Sequence, residues 1–333
     1  MYDLELETVY SEINKRRAVR VLLQLPDGMR PFALKIVEDI EKNTGANVFL
    51  SGDSCYGACD VAISQAKELD ADLIVHYGHS SMIESLEVPI IYIHAKIDLE
   101  IDRLTEAILP QIKKYSKIGL STTIQHTHLI KEIETKLREK GLTVFTGRGV
   151  GKTPYDGQIL GCAYNTVLDI REKVDAYLYI GGGRFHPIGI VMSTGKPVVT
   201  VNPYNEVISS ITENDLMDLA KRRYAAIALS KNAKSFGILV SSKPGQKNLE
   251  KGLQLQRMFR DDGKKAVIIY LDEIRAEHIN NYSEFEVLVN TACPRTAIDG
   301  ITGIERPTLT INEAEVVLGV RKWETLWGNK YME

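Results

Sequence analysis

The chain has 333 residues, of which 44% are hydrophobic and 26% are charged, an ordinary globular composition with enough length for two or three hydrophobic cores. A net charge of -3, with acidic and basic residues interspersed, disfavours a direct nucleic-acid partner, which needs a basic surface. Because no apolar run approaches the roughly 18 to 20 residues of a membrane span and the charged N-terminal segment is unlike a signal peptide, we expect a cytoplasmic protein with no membrane partner.

The predicted elements follow the same order three times along the chain. The first copy reads as an apolar strand VRVLLQL, a helix PFALKIVEDIEKN and further strands ANVFL and ADLIVHY. The second copy has KIGLSTT, HLIKEIETKLREK and DAYLYI, and the third has SFGILVSS, KNLEKGLQLQRMFRDD and FEVLVN. Each copy ends in a proline followed by a β-rich run, and these prolines recur at roughly 110-residue spacing: Pro89, Pro197 and Pro307.

Strands that are apolar throughout and separated by helices are typical of parallel sheets buried on both faces. The sequence therefore predicts an α/β fold of three Rossmann-like parallel-sheet domains, each of about four strands, in a pseudo-threefold triangular arrangement. The predicted domains are 1–115, 116–232 and 233–333. Ligands of such sheets bind at the loops beyond the carboxyl ends of the strands.

All four cysteines lie in such loops: Cys55 and Cys59 in the first copy, and one cysteine in each of the other two copies. Cys59 and Cys162 occupy matching positions after the second strand, each at the start of a predicted helix whose dipole favours a thiolate. Cys293 directly follows the third strand of the third copy. A pseudo-threefold packing of the copies would bring these loops together, whereas a disulfide framework is not expected in a reducing cytosol.

Three thiolates suit either a structural zinc with a fourth ligand or a cubane iron-sulfur cluster with one open iron. The paired C-x-x-C spacing of structural zinc sites is absent. Cys55 could supply a second ligand from the same loop as Cys59, although the repeat alignment favours Cys59. The alternative for all four cysteines is burial as small hydrophobic side chains.

At these positions the sequence resembles the archaeal diphthamide synthase radical enzymes, also called 2-(3-amino-3-carboxypropyl)histidine synthases. The resemblance extends over the whole chain and rests on six segments: LPDGMR (25–30), GDSCYGACDVA (52–62), VHYGHS (75–80), GGGRFHP (181–187), SSKPGQ (241–246) and ACPRTAIDG (292–300).

The resemblance implies that Cys59, Cys162 and Cys293 hold a 4Fe-4S cluster whose fourth iron binds S-adenosylmethionine as co-substrate. It further implies an atypical radical enzyme, because the usual C-x-x-x-C-x-x-C signature is missing. Such an enzyme transfers a 3-amino-3-carboxypropyl group to a histidine of translation elongation factor 2, the first step of diphthamide biosynthesis. A homodimer served by an electron donor is expected by the same resemblance.

Five residues are candidates for holding S-adenosylmethionine. Arg295 can pair with the methionine carboxylate and Gln246 can hydrogen-bond to it, although Arg295 could instead pair with Asp299 and Gln246 could cap its helix. Glycines of the GGGRFHP segment can let the backbone approach a ligand closely. The remaining candidates lie in the SSKPGQ and GGGRFHP segments: Lys243, Gly183 and Arg184.

Other signals are weaker or point elsewhere. GVGKT lacks the first glycine of a P-loop, and GGGRFH lacks the last glycine of a dinucleotide fingerprint. Several histidines are interpreted as structural groups or neighbours of the site rather than ligands: His76, His79 and His186 in strand-end loops, and His126 and His128 at a helix start. An aromatic stripe in the tail is expected to dock on the body or on another subunit: Trp323, Trp327 and Tyr331.

Two alternative functions stay open. Quinolinate synthase has a similar three-domain design with one cysteine per domain on a 4Fe-4S cluster, and it catalyses a dehydrating condensation without S-adenosylmethionine. A zinc-stabilised interaction module without enzymatic activity is the second alternative.

Overall fold

The computed structural model describes residues 2–327, in which helices separate most of the successive strands. The strands are β1 (Arg20–Gln24), β2 (Asn47–Leu50), β3 (Leu73–Tyr77), β4 (Ile90–Ile93), β5 (Lys117–Thr122), β6 (Thr143–Thr146), β7 (Ala176–Ile180), β8 (Val198–Val201), β9 (Ile208–Ile211), β10 (Ser235–Ser241), β11 (Lys265–Leu271), β12 (Val287–Asn290) and β13 (Thr308–Thr310). The α-helices are α1 (Leu6–Arg16), α2 (Ala33–Thr44), α3 (Ile63–Glu68), α4 (Ile101–Ile112), α5 (Ile130–Glu139), α6 (Asn165–Asp169), α7 (Phe185–Thr194), α8 (Glu213–Ser230), α9 (Leu249–Asp261), α10 (Ala276–Ile279), α11 (Pro294–Asp299), α12 (Ile311–Val317) and α13 (Glu324–Trp327). None of these helices is both long enough and apolar enough to cross a bilayer.

The strands form three sheets that share one strand order. The first sheet runs β2-β1-β3-β4, the second β6-β5-β7-β8-β9 and the third β11-β10-β12-β13. All neighbouring strands are parallel except β8 and β9, which are antiparallel. The predicted fold class of three mostly parallel sheets is therefore confirmed. The fifth strand of the second sheet was not predicted, because ISSI is short and only partly buried.

The shared order creates the same crevice in each sheet. The first and third strands of each copy are neighbours, with Gln24 opposite His76 in the first sheet and Leu239 opposite Asn290 in the third. From these two strands the chain crosses over to opposite sides of the sheet. Because ligands of open parallel sheets bind at this reversal point, the residues just beyond these strand ends are candidates for a site.

Apolar side chains cover the sheets and explain the uninterrupted hydrophobic strands. In the first sheet, Ile36 and Ile40 of α2 pack against Val21 and Leu23 of β1. A separate cluster around Leu22 and Ile74 lies on the opposite face. When both faces of a strand are buried, every apolar side chain along it adds stability. The sequence of such a strand therefore lacks the alternation of apolar and polar residues that a half-exposed strand would show.

The chain divides into two compact units, Met1–Ile211 and Thr212–Glu333. Helix α8 belongs to the second unit, where its Ala220 and Ile227 join the core of the third sheet around Phe236. Its packing favours a boundary near 211, whereas the predicted domain 116–232 includes α8. The three predicted domain boundaries and the pseudo-threefold arrangement stay predictions.

The aromatic tail is partly described by the structure. Trp323 is buried in the core of the third sheet and meets Tyr224 of α8 edge-to-face at 5.3 Å between ring centroids. This packing agrees with the expected docking of the stripe on the body. Tyr331 lies outside the described residues.

Candidate functional site

Cys59 lies in the loop between β2 and α3, at the carboxyl end of the first sheet. The loop forms a turn in which the Asp60 N–H donates to the Gly57 carbonyl at 2.9 Å. Helix α3 begins only at Ile63, so the prediction that Cys59 starts a helix is wrong. The side chain of Val61 packs into the core, and this packing holds the segment in a turn before the helix.

Gln24, at the end of β1, holds this loop through its side-chain amide. Its Nε2 donates to the Asp60 carbonyl at 2.7 Å, and its Oε1 accepts from the Ala62 N–H at 3.1 Å. The same Oε1 lies 2.8 Å from His76 Nδ1. Because an amide oxygen only accepts, His76 carries its proton on Nδ1. The buried Gln24 therefore connects the loop of Cys59 to the end of β3.

Two histidines and a cysteine meet beside this loop. His76 lies inside β3 rather than in a loop, and its Nε2 is 2.9 Å from Nδ1 of His79. The ligand atoms of Cys55, His76 and His79 all lie within 4.8 Å of one another. Burial lowers the pKa of both histidines, that of His79 to about 4, so both rings are neutral near pH 7. No pattern in the sequence indicates that these three residues converge.

Cys162 lies at the tip of a tight turn closed by an antiparallel bridge between Leu160 and Ala163. It is exposed, and α6 begins three residues later, so the predicted helix start is wrong here too. A Cβ at Gly161 would lie 1.9 Å from Cε1 of Phe185, so glycine at this position lets the turn pack against α7. Cys59 and Cys162 thus share a loop position in the repeat but are held by different contacts.

A polar network connects the loops of the first and second sheets. Gln158 Nε2 donates to Ser80 Oγ at 2.7 Å, and Gln125 Nε2 donates to the Gly78 carbonyl at 2.6 Å. The Thr166 hydroxyl donates to the Gln158 carbonyl at 2.7 Å. Gln158 precedes the turn of Cys162, and Ser80 follows His79 at the end of β3. The hydrogen bond between Gln158 and Ser80 therefore connects the carboxyl ends of the first and second sheets, where the two cysteine-bearing loops lie.

The GGGRFHP segment follows β7 on the same sheet as Cys162. Gly183 has a φ of 73°, a left-handed conformation that a side chain rarely adopts, and Arg184 is the residue before α7. His186 lies in the first turn of α7 rather than in a loop, with its Nδ1 3.2 Å from the Tyr179 hydroxyl. Gly183 and Arg184 therefore stand at the carboxyl end of a strand, where their role as candidates stays a prediction.

In the C-terminal unit, Cys293 occupies the N-cap position of α11 without a capping hydrogen bond from its side chain, and Pro294 stands at the first helical position. Asn290 Nδ2 donates to the Cys293 carbonyl at 2.6 Å, and Asn290 Oδ1 accepts from the Ala292 N–H at 3.0 Å. The sequence analysis expected Cys59 and Cys162 at helix starts. The structure instead places Cys293 there.

Arg295, on the same helix, is buried and its Nη2 lies 2.6 Å from Asp299 Oδ1. This ion pair was the alternative reading of Arg295 in the sequence. Burial raises the pKa of the Asp299 carboxyl, while the Arg295 charge acts to lower it. The ligand role of Arg295 stays a prediction.

Two other candidates share the loop after β10. Lys243 is buried with its Nζ 3.6 Å from Asp272 Oδ2, and the Gln246 N–H donates to the Lys243 carbonyl at 3.0 Å. The residue preceding α9 is Asn248, so Gln246 does not occupy the capping position of that helix. Lys243 and Gln246 thus lie in the loop that follows β10, and Arg295 lies in α11, which follows β12 of the same sheet.

The donor set fits an iron-sulfur cluster. Each of the three cysteines lies in a loop beyond a strand end of a different sheet, and each retains access to solvent, with Cys162 the most exposed. Thiolates are the usual ligands of such clusters, and three of them leave one iron of a cubane open.

Gly147 sets the path of the chain leading to Cys162, which gives a first prediction. A Cβ there would lie 1.7 Å from the backbone oxygen of Thr166 in α6. Gly147→Ala should therefore lower the free energy of unfolding by about 1–3 kcal/mol, measured by urea denaturation. Gly52→Ala is the control, since Gly52 has open space around it. Equal stabilities of the two variants would contradict this account.

His126 gives a prediction for pH. It is fully buried, with its Nδ1 3.3 Å from the Ile97 carbonyl, and burial lowers its pKa to about 4. At pH values between the folded pKa and the pKa of about 6.5 in the unfolded chain, His126 takes up a proton only in the unfolded chain. The free energy of unfolding therefore falls as the pH falls through this range. From pH 7 to 5, wild type should lose about 2 kcal/mol more unfolding free energy than His126→Gln. His128→Ala, a surface variant, should behave as wild type; a His126→Gln loss equal to wild type would refute the assignment.

Comparisons with known proteins agree with these features. The family model described as "Putative diphthamide synthesis protein" matches residues 25–328. The chain is 34% identical to the 2-(3-amino-3-carboxypropyl)histidine synthase of Pyrococcus horikoshii over 97% of the chain and 92% of that protein. It is 31% identical to subunit 1 of the human synthase, over 97% of the chain and 73% of that protein.

A crystal structure, "Dph2 from Pyrococcus horikoshii with 4Fe-4S cluster", matches with a TM-score of 0.87 at 33% identity, over 98% of this chain and 95% of that one. The structure of the same protein titled without the cluster matches with a TM-score of 0.87 at 34% identity, over 97% of this chain and 93% of that one. The predicted family and enzyme class are confirmed. The chain belongs to the diphthamide synthesis protein family.

Proposed function

We propose that the chain transfers the 3-amino-3-carboxypropyl group of S-adenosylmethionine to a histidine side chain of translation elongation factor 2. One observation carries the proposal: each of three sheets with the same strand order presents one cysteine in a loop beyond its strand ends. The 34% identity to a named synthase supports the reaction. The similarity to a structure titled with a 4Fe-4S cluster supports the cofactor.

In this proposal Cys59, Cys162 and Cys293 are the cluster ligands. When bound, the cluster supplies one electron that cleaves the bond between sulfur and the γ-carbon of S-adenosylmethionine, which yields methylthioadenosine and a 3-amino-3-carboxypropyl radical. The protein contributes fixed positions for the thiolates. Gln24 holds the loop of Cys59, the Gly161 turn holds Cys162 and Asn290 holds the backbone at Cys293.

The candidates of the C-terminal unit suit the methionyl end of the co-substrate. A guanidinium has five N–H donors, so Arg295 can bind a substrate carboxylate while it keeps its contact with Asp299. Lys243 adds a positive charge in the loop after β10, and the Gln246 amide can donate a hydrogen bond to the substrate carboxylate. These contacts would orient the sulfonium so that one of its three carbon-sulfur bonds is cleaved.

The GGGRFHP segment supplies the remaining candidates. The left-handed backbone at Gly183 has no Cβ, so a ligand can approach its peptide groups closely. Arg184 adds a cation immediately before α7. We assign Gly183 and Arg184 to binding of S-adenosylmethionine on these grounds.

The remaining parts of the proposal concern partners. Elongation factor 2 is the protein substrate. An electron donor is needed to reduce the cluster before cleavage, and the electron is returned when the imidazole adduct loses one electron and one proton to restore its ring. A homodimer is proposed on the family resemblance, and a cytoplasmic location on the sequence alone.

The test uses anaerobically reconstituted, reduced protein incubated with S-adenosylmethionine and archaeal elongation factor 2. We expect methylthioadenosine and an elongation factor heavier by one 3-amino-3-carboxypropyl group. An elongation factor with the acceptor histidine replaced is the control, and it should gain no mass. Absence of methylthioadenosine with an intact cluster would overturn the proposal.

A further inference from the structure

A second set of metal-binding side chains lies beside the loop of Cys59, and the proposed reaction does not use it. Cys55 and His76 are buried, whereas His79 is partly exposed. Their three ligand atoms lie within 4.8 Å of one another. Cys55 lies in the loop after β2, His76 lies in β3, and His79 lies just beyond the carboxyl end of β3. Because β2 and β3 belong to the first sheet, the sheet itself brings the three residues together.

The orientation of His76 is that of a metal ligand. Histidines that bind metals commonly donate their second ring N–H to an oxygen, which fixes the tautomer and the ring. Here Gln24 Oε1 takes that position, 2.8 Å from His76 Nδ1. The side-chain amide of Gln24 is fixed in this orientation and not flipped, because its Nε2 donates to the Asp60 carbonyl and its Oε1 also accepts from the Ala62 N–H. The Nε2 lone pair of His76 therefore points toward His79.

The spacing is close to that of a coordination sphere. His76 Nε2 and His79 Nδ1 are 2.9 Å apart. Two nitrogens bound at tetrahedral zinc lie about 3.3 Å apart. A shift of a few tenths of an ångström in the partly exposed His79 would therefore admit an ion.

We propose that Cys55, His76 and His79 form a mononuclear site for a zinc-type divalent cation, separate from the three-cysteine cluster. One thiolate and two imidazoles favour Zn²⁺ and its neighbours over Mg²⁺ and Ca²⁺, which prefer oxygen ligands. Three protein ligands leave a fourth position for water. Binding releases the thiol proton of Cys55. The site gives Cys55 a role, and it does not depend on the proposed transferase function.

The test removes the cluster ligands and probes the remaining thiol. The chain has four cysteines, so the variant with Cys59, Cys162 and Cys293 all replaced by Ser retains Cys55 alone. Anaerobic titration of this variant with Co²⁺ should give one bound ion per chain and a near-ultraviolet thiolate-to-cobalt absorption, both displaced by Zn²⁺. Any such absorption can come only from Cys55.

Further variants identify the ligands. Added Cys55→Ala should abolish the absorption, and added His79→Ala should weaken Co²⁺ binding by at least about tenfold. His128→Ala, a surface histidine next to Asp98, should change nothing. A triple variant with native circular dichroism but no thiolate-to-cobalt absorption would overturn the proposal and leave a hydrogen-bonded cluster.

A second measurement covers the case in which the triple variant does not fold. Cluster-loaded wild type and Cys55→Ala would be equilibrated with Zn²⁺, and zinc would be counted by mass spectrometry beside iron. Wild type should hold one zinc more than the variant. Equal zinc contents would refute the metal site. Transferase activity would be measured separately, and equal zinc contents would not count against the proposed transferase function.

Discussion

Cys59→Ala, Cys162→Ala and Cys293→Ala are each expected to lose the visible absorbance of the iron-sulfur cluster and the cleavage of S-adenosylmethionine. Loss of an outer-shell partner of a metal ligand already costs 10- to 100-fold in affinity or activity. Loss of a ligand should therefore reduce methylthioadenosine formation by at least about a hundredfold. The measurement is absorbance and product analysis after anaerobic reconstitution.

Cys55→Ala is the matched control for that series. Cys55 lies four residues before Cys59 in the same loop, so both substitutions disturb the same segment. We expect Cys55→Ala to keep the cluster and the cleavage, because its side chain faces His76 and His79. If Cys55→Ala loses the cluster while Cys59→Ala keeps it, the ligand assignment in the first sheet is reversed.

The three sheets could be predicted from the sequence because their signal is local. The strands that were predicted from apolar runs coincide with those runs, as β1, β5 and β10 illustrate. Their shared order follows from the repeat, since equal crossovers produce equal sheets. Strand β9 escaped prediction because ISSI is short and its pairing with β8 also depends on the turn at 202–207.

The local structure around the cysteines could not be predicted in the same way. The turn of Cys59 depends on Gln24, and the turn of Cys162 depends on Phe185, partners far away in the sequence. The two loops align in the repeat and yet neither cysteine starts a helix. Cys293 does occupy the N-cap position of a helix, and the proline that follows it was a readable signal for a first helical turn.

The cluster of Cys55, His76 and His79 also required the sheet. Two histidines three residues apart at a strand end are a weak signal by themselves. Only the parallel pairing of β1 with β3 and β2 brings Gln24 opposite His76 and the loop of Cys55 beside them.

The C-terminal unit contains a buried ion pair that no sequence pattern indicated. Arg223 of α8 donates through Nε and Nη2 to the Glu313 carboxylate of α12, at 2.8 and 2.5 Å. Its guanidinium also donates to the backbone oxygens of Ala297 and Thr308, each at 2.7 Å. Ala297 lies in the helix whose N-cap position Cys293 occupies, so this arginine fixes the position of that helix on the sheet.

Arg223→Ala should lower the free energy of unfolding of this unit by about 3–5 kcal/mol, because it leaves a buried carboxylate and two carbonyls without their donor. Urea denaturation followed by tryptophan fluorescence reports on the unit, since Trp323 lies in its core. Arg321→Ala is the control: its partner Glu315 keeps Lys251, and a half-exposed pair is worth at most about 1 kcal/mol.

A double variant separates the charge from the packing. Arg223→Met with Glu313→Leu removes both charges and keeps apolar volume, so it should recover much of the stability that Arg223→Ala loses. If the double variant is as unstable as Arg223→Ala, the main contribution is hydrogen bonding to the backbone: Arg223 to the carbonyls of Ala297 and Thr308, and Glu313 from the Thr310 N–H. In that case Arg223→Met should also loosen α11 and lower the iron content through Cys293, because the carbonyl of Ala297 would lose its donor. An Arg223→Ala variant within about 1 kcal/mol of wild type would contradict the structural role of the ion pair itself.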